Sequence, residues 1–124
     1  MIALSIAMGG AFGALARFLV NQLMISNGLG AAGLSTLTVN VAGSFAIGCC
    51  FVIFERFSAS DAVRLGLMVG FLGAFTTFST FSLELVSDLQ AGNFLRSALY
   101  AAASVLFCLF ACYAGIGVAR SIID

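Results

Sequence analysis

Residues 95–119 read Leu-Arg-Ser-Ala-Leu-Tyr-Ala-Ala-Ala-Ser-Val-Leu-Phe-Cys-Leu-Phe-Ala-Cys-Tyr-Ala-Gly-Ile-Gly-Val-Ala, an apolar run that closes at Arg120. A helix needs about 20 such residues to cross a hydrocarbon core of roughly 30 Å, so this run is a membrane span. Working outward, the break Gln90-Ala91-Gly92-Asn93 separates it from an earlier run over about 62–88, which Ser60 or Asp61 can cap. A further run over about 33–54 stops at Glu55-Arg56, and the first covers about 2–25 and ends in the turn-forming Ser26-Asn27-Gly28-Leu29-Gly30. The reading is an all-α integral membrane protein with four transmembrane helices in one domain spanning residues 1–124.

Composition agrees. Of 124 residues, 62% are hydrophobic and 8% charged, against roughly 45–50% and about 25% in soluble domains. The apolar N-terminus has no basic n-region and no clear cleavage site, so a retained first span is expected. Net charge is zero and no basic run is present, which gives no footing for nucleic acid or an anionic surface. Lipid is the expected partner, with a second copy of the chain. Cys49, Cys50, Cys108 and Cys112 fall inside apolar runs without the paired spacing and histidine companions of a metal site, and read as small, buried, inert thiols.

Charge placement bears on topology. Arg56, Arg64 and Arg120 share one side with the N-terminus, while Arg96 and Arg17 fall on the other. A bias of three against two is weak by the positive-inside rule. Such a chain is able to insert either way up, which permits an antiparallel, dual-topology homodimer, although a small bias also suffices for a single orientation.

Small residues mark where helices touch: Gly9 and Gly13, with Gly10 and Ala14 beside them, form one small-xxx-small stripe, and Gly66 with Gly70 another. The unusual segment is Gly70-Phe71-Leu72-Gly73-Ala74-Phe75-Thr76-Thr77-Phe78-Ser79-Thr80-Phe81-Ser82, which alternates hydroxyls with aromatic rings in the middle of the third span. Two glycines followed by the β-branched pair Thr76-Thr77 point to a helix broken near its middle, and freed backbone at membrane depth is tolerated where protein or a polar cavity covers it. Freed carbonyls ligate cations and freed N–H groups anions. Hydroxyls bonding back to their own helix, with phenylalanines facing lipid, would leave the same trace.

Other polar groups carry the same two readings. Asn40 is either glue between helices or a pair of donors for an anion. Tyr100 and Ser104 stand four apart on one helical face, with Cys108 and Cys112 continuing the stripe, as a polar track or as interface packing. Arg17 and Glu84 lie near span ends, where snorkelling or a wet vestibule keeps charge hydrated. Histidine is absent, and paired intramembrane carboxylates, a metal-ligand cluster and a nucleophile beside a base are not found, so the chain does not read as an enzyme. A conduit or an assembly subunit remains.

Three motifs resemble a known family, the Fluc (CrcB-type) fluoride channels of bacteria. Gly9-Gly10-x-x-Gly13-Ala14-x-x-Arg17 is similar to its first-helix pattern, and Thr36-Leu37-x-Val39-Asn40-x-x-Gly43-Ser44-Phe45-x-x-Gly48 to its second. Gly70-Phe71-x-Gly73-x-x-Thr76-Thr77-Phe78-Ser79-Thr80-Phe81-Ser82-x-Glu84 resembles the family's broken third helix nearly residue for residue. The resemblance implies an antiparallel homodimer in the bacterial plasma (inner) membrane, multi-pass, with two fluoride pores that export fluoride passively and relieve its toxicity. Phe78 and Phe81 would line each pore with Asn40 beside them, and Thr77, Ser79, Thr80, Tyr100 and Ser104 would complete it, with Arg17 and Glu84 in the vestibule. It further implies a structural sodium ion at the dimer centre on the backbone carbonyls of Gly73 and Thr76 from both subunits. Two departures from the pattern are Leu34-Ser35, in place of a proline or glycine, and Cys108, in place of a serine in the fourth-helix track.

The chemistry suits that function: a dry pore must replace fluoride's water with donors, which phenyl edges and amide and hydroxyl hydrogens supply. The competing class is a small proton-coupled multidrug exporter of dual topology. It requires a glutamate deep in the first helix, which here carries only Arg17. A structural subunit without transport would leave the hydroxyl-aromatic segment without a purpose.

Overall fold

The computed structural model describes residues 1–30 and 33–123. Four helices are long and apolar enough to cross a membrane: Ile2–Ser26, Leu34–Arg56, Asp61–Gln90 and Phe94–Ile123. The first two are α1 (Ile2–Ser26) and α2 (Leu34–Arg56). The third span is composite: α3 (Asp61–Leu65), a π-helical stretch (Gly66–Leu72), α4 (Gly73–Phe75) and α5 (Phe78–Gln90). The fourth is α6 (Phe94–Ile123).

Local chemistry sets the ends. Ser60 caps α3 by accepting from the Val63 amide at 3.4 Å, and Asp61 in the first turn pairs with Arg64 at 3.0 Å. Gly33, before α2, has φ +85°, and a Cβ there would stand 2.7 Å from the Tyr100 ring, so conformation and space both call for glycine. Gly92 turns the chain into α6 at φ +81°, where Asp88 and Arg96 pair at 3.3 Å.

The helices meet through glycine, because lipid tails offer no hydrophobic drive between them and close backbone approach maximises van der Waals contact. α1 lies parallel along the π-helical stretch and α4. A Cβ on Gly9 would strike the Gly66 carbonyl oxygen, one on Gly13 the Phe71 carbonyl oxygen, and one on Gly70 would lie 2.6 Å from that of Ile6. The two small-residue stripes of the sequence thus face each other. α2 and α6 form the other pair, with Gly48 against the Cys112 carbonyl and Gly115 against that of Phe45. The Cys49 thiol adds a bond to the Gly115 carbonyl at 3.4 Å.

Buried apolar side chains are few, among them Val39, Val52, Leu72 and Phe81, while large apolar residues cover the outside of all four spans. In water that surface would be untenable; in a bilayer it is the lipid-facing surface.

Candidate functional site

The third span bends because its hydrogen-bond ladder is interrupted at two residues. Thr76 has φ/ψ of −81°/159° and Thr77 −151°/117°, extended torsions that β-branched residues adopt readily. The Leu72 carbonyl accepts from both the Thr76 amide at 3.0 Å and the Thr76 hydroxyl at 2.9 Å. The Thr77 amide, which in a continuous helix would bond Gly73, donates instead to Asn40 Oδ1 at 2.7 Å. Asn40 Nδ2 returns a bond to the Thr77 carbonyl at 3.0 Å. One amide on α2 therefore holds both backbone groups of Thr77 and keeps them from being orphaned at membrane depth.

Below the break α5 restarts with Thr77 as its N-cap, whose hydroxyl oxygen accepts from the Thr80 amide at 3.3 Å. The same hydroxyl donates to Thr80 Oγ1 at 3.1 Å and lies 3.3 Å from Ser79 Oγ. Thr77, Ser79 and Thr80 thus form one hydroxyl cluster. Thr76 and Ser82, by contrast, bond back to their own helix.

Two cavities flank this break. One, of about 380 Å³, is lined by Arg17 and Asn21 of α1, Thr36 of α2, and Thr77, Thr80 and Glu84 of the third span. Glu84 is held there at both oxygens: Thr36 donates to Oε1 at 2.8 Å and Tyr100 to Oε2 at 2.7 Å. The ion pairs among the described residues are Arg64–Asp61 and Arg96–Asp88, and Arg17 is in neither. The other cavity, of about 350 Å³, is lined by Asn40, Ser44, Thr76, Thr77, Phe78, Phe81, Ser104 and Cys108, among others. Thr77 lines both. Ser104 Oγ is buried and has no hydrogen-bond partner among the described residues.

The aromatic residues are not equivalent. Phe81 is 7% exposed, with its ring tilted against Phe78 at 5.4 Å and Tyr100 at 5.2 Å between centroids. Phe78 is 76% exposed on the single chain. Tyr100 joins the site through Glu84 and Phe81, and Ser79 through Thr77; neither lines the two cavities. Gly73 and Thr76 both line the second cavity, and a Cβ on Gly73 would meet nothing closer than the Met68 carbonyl at 3.9 Å.

Sequence reasoning gave Thr36, Asn21 and Met68 no role in the site. Thr36, Asn40 and Gly43 fall at helical spacing on one face of α2, and Asn21 stands one turn beyond Arg17, so both were open to discovery by period. Met68 carries no such signal.

A family model described as "CrcB-like protein, Camphor Resistance (CrcB)" matches residues 4–116. The chain is 47% identical over 109 residues to the fluoride-specific ion channel FluC of Idiomarina loihiensis, covering 88% of this chain and 84% of that one. It is 46% identical over 120 residues to FluC of Hahella chejuensis, with 95% and 94% covered. It is 40% identical over 122 residues to FluC of Rhizobium etli, with 98% of each chain covered. With four membrane-spanning helices and these relatives, the chain is a multi-pass membrane protein and belongs to the CrcB family.

Proposed function

We propose that this chain is a fluoride-selective passive channel, working as an antiparallel homodimer of dual topology in a bacterial inner membrane. The observation that carries the reading is that two cavities share Thr77 as a wall where the ladder of the third span opens, and that Asn40, hydroxyl and phenyl side chains line the space there. A dehydrated fluoride needs hydrogen-bond donors and positive ring edges, and the second cavity is lined with both. Arg17, which forms no ion pair among the described residues, brings a positive charge to the first cavity, which suits it to gather anions. Export then follows the fluoride gradient and relieves toxicity without a catalytic step. The exporter alternative finds no carboxylate on α1, and the one glutamate beside the cavities is held by two hydroxyls. Fluoride efflux from liposomes is the direct test.

Two chains are invoked because Phe78 is exposed on one chain alone and because the arginine bias is weak. A single cysteine at Ser58 in an otherwise cysteine-free chain should label from both sides of the membrane in whole cells and vesicles. Labelling from one side only would end the dual-topology reading.

The implied sodium site passes a test of fit. With the Thr77 amide given to Asn40, the Gly73 carbonyl has lost its helical partner, and Thr76 is followed by extended backbone. Both are oxygen donors, which suit a hard cation. Gly73 and Thr76 from two chains would hold such an ion, which would offset the partial negative charge of their carbonyl oxygens. Replacing sodium by a large organic cation through purification and assay should lower fluoride flux, and Gly73→Val should reproduce that loss in sodium. Equal flux in both cations would remove the site.

A further inference from the structure

We propose that the cavity beside the break is also a binding site for a soft, thiophilic metal cation, held between the thiol of Cys108 on α6 and the thioether of Met68 on the third span. Both residues line that one cavity from different elements. Thiolate and thioether sulfur are the donors that soft cations select over oxygen. A two-coordinate d10 ion such as silver(I) needs only two sulfurs, so a cluster of three or more ligands is not required. The third wall strengthens the assignment: Ser104, one helical turn before Cys108, is 6% exposed and lines the same cavity, and its hydroxyl has no hydrogen-bond partner among the described residues. A buried donor without an acceptor is costly, and a metal-bound thiolate one turn away would supply one.

The other cysteines differ. None of Cys49, Cys50 and Cys112 lines this cavity, and Cys49 is already bonded to the Gly115 carbonyl at 3.4 Å. Capture balances simply: the S–H bond of Cys108 breaks, an S–Ag bond forms, the proton leaves to water through the cavity mouth, and no electron changes hands. Metal affinity should therefore fall as pH falls, since the ligand must be deprotonated. Because Asn40, Phe78 and Phe81 line the same space, a bound cation would also obstruct anion passage; this consequence rests on the channel reading.

The test uses the full chain in detergent, with silver(I) in chloride-free buffer and bound metal measured after gel filtration. Wild type should retain silver, Cys108→Ser should lose it, and Met68→Leu should bind at least about tenfold more weakly, the scale on which even a supporting partner matters at a metal site. Cys49→Ser and Cys112→Ser should bind as wild type. Retention by Cys108→Ser, or equal binding by Met68→Leu, overturns the site. The Met68 variant keeps the question open to decision should Cys108→Ser fail to fold. Silver should also inhibit fluoride efflux by the wild type. Binding is read without transport, so a chain that binds silver through Cys108 but moves no fluoride sinks the channel reading and supports the site.

Discussion

Asn40→Leu should yield a chain that no longer purifies as a single folded species, even though leucine shares asparagine's branched shape and suits a membrane span better. The reason lies in the reciprocal pair of bonds between its amide and the backbone of Thr77. Removing it strands a buried N–H and a buried C=O together. At about 1–3 kcal/mol for each unsatisfied group, the loss is about 2–6 kcal/mol, comparable with the whole stability of many domains. The measurement is gel-filtration profile and thermal unfolding in detergent, with Thr38→Val as control; the Thr38 hydroxyl bonds back to the Leu34 carbonyl of its own helix. A wild-type profile and melting point for Asn40→Leu would mean that the break holds itself open.

Phe81→Ile and Phe78→Ile should leave folded protein in good yield and cut fluoride flux about tenfold or more. A phenyl ring offers the anion its positive edge, and isoleucine keeps apolar bulk without that edge. Losing about 1.4 kcal/mol of stabilisation at the highest barrier is already a tenfold fall. Phe81 is the more constrained, fixed between Phe78 and Tyr100. Some of its effect will come through packing, so flux is normalised to protein that elutes as the wild type does. Phe51 and Phe107, exposed on the outside of α2 and α6, are the controls. Near-normal flux in both variants would take the rings out of the conduction path.

The four spans are legible because burial in lipid requires long apolar runs, and polar turns must separate them. The stripes Gly9/Gly13 and Gly66/Gly70 are legible too, since close packing of helix backbones leaves a small residue every fourth position. The π-helical course of Gly66–Leu72 is not. It is a choice of backbone bonding along the stretch that packs on α1, and side-chain periodicity does not encode it. Within residues 70–82 the composition signals an interruption, but Thr76 and Thr77 take it because Asn40, 37 positions away, holds the Thr77 amide. Glu84 shows the same limit. Its partners Thr36 and Tyr100 lie 48 and 16 residues off, and no local pattern joins them. Thr76 and Ser82 went the blander way that spacing also allowed, bonding back to their own helix.

The central claim is that this chain passes fluoride through a pathway at the break, and fluoride efflux from liposomes holding the purified protein tests it most directly. Vesicles loaded with potassium fluoride, diluted into fluoride-free buffer and opened to potassium with valinomycin, should release fluoride rapidly to a fluoride electrode, while matched chloride-loaded vesicles release no chloride above the protein-free leak. Fluoride release no faster than that leak, or chloride release at a comparable rate, would contradict the account.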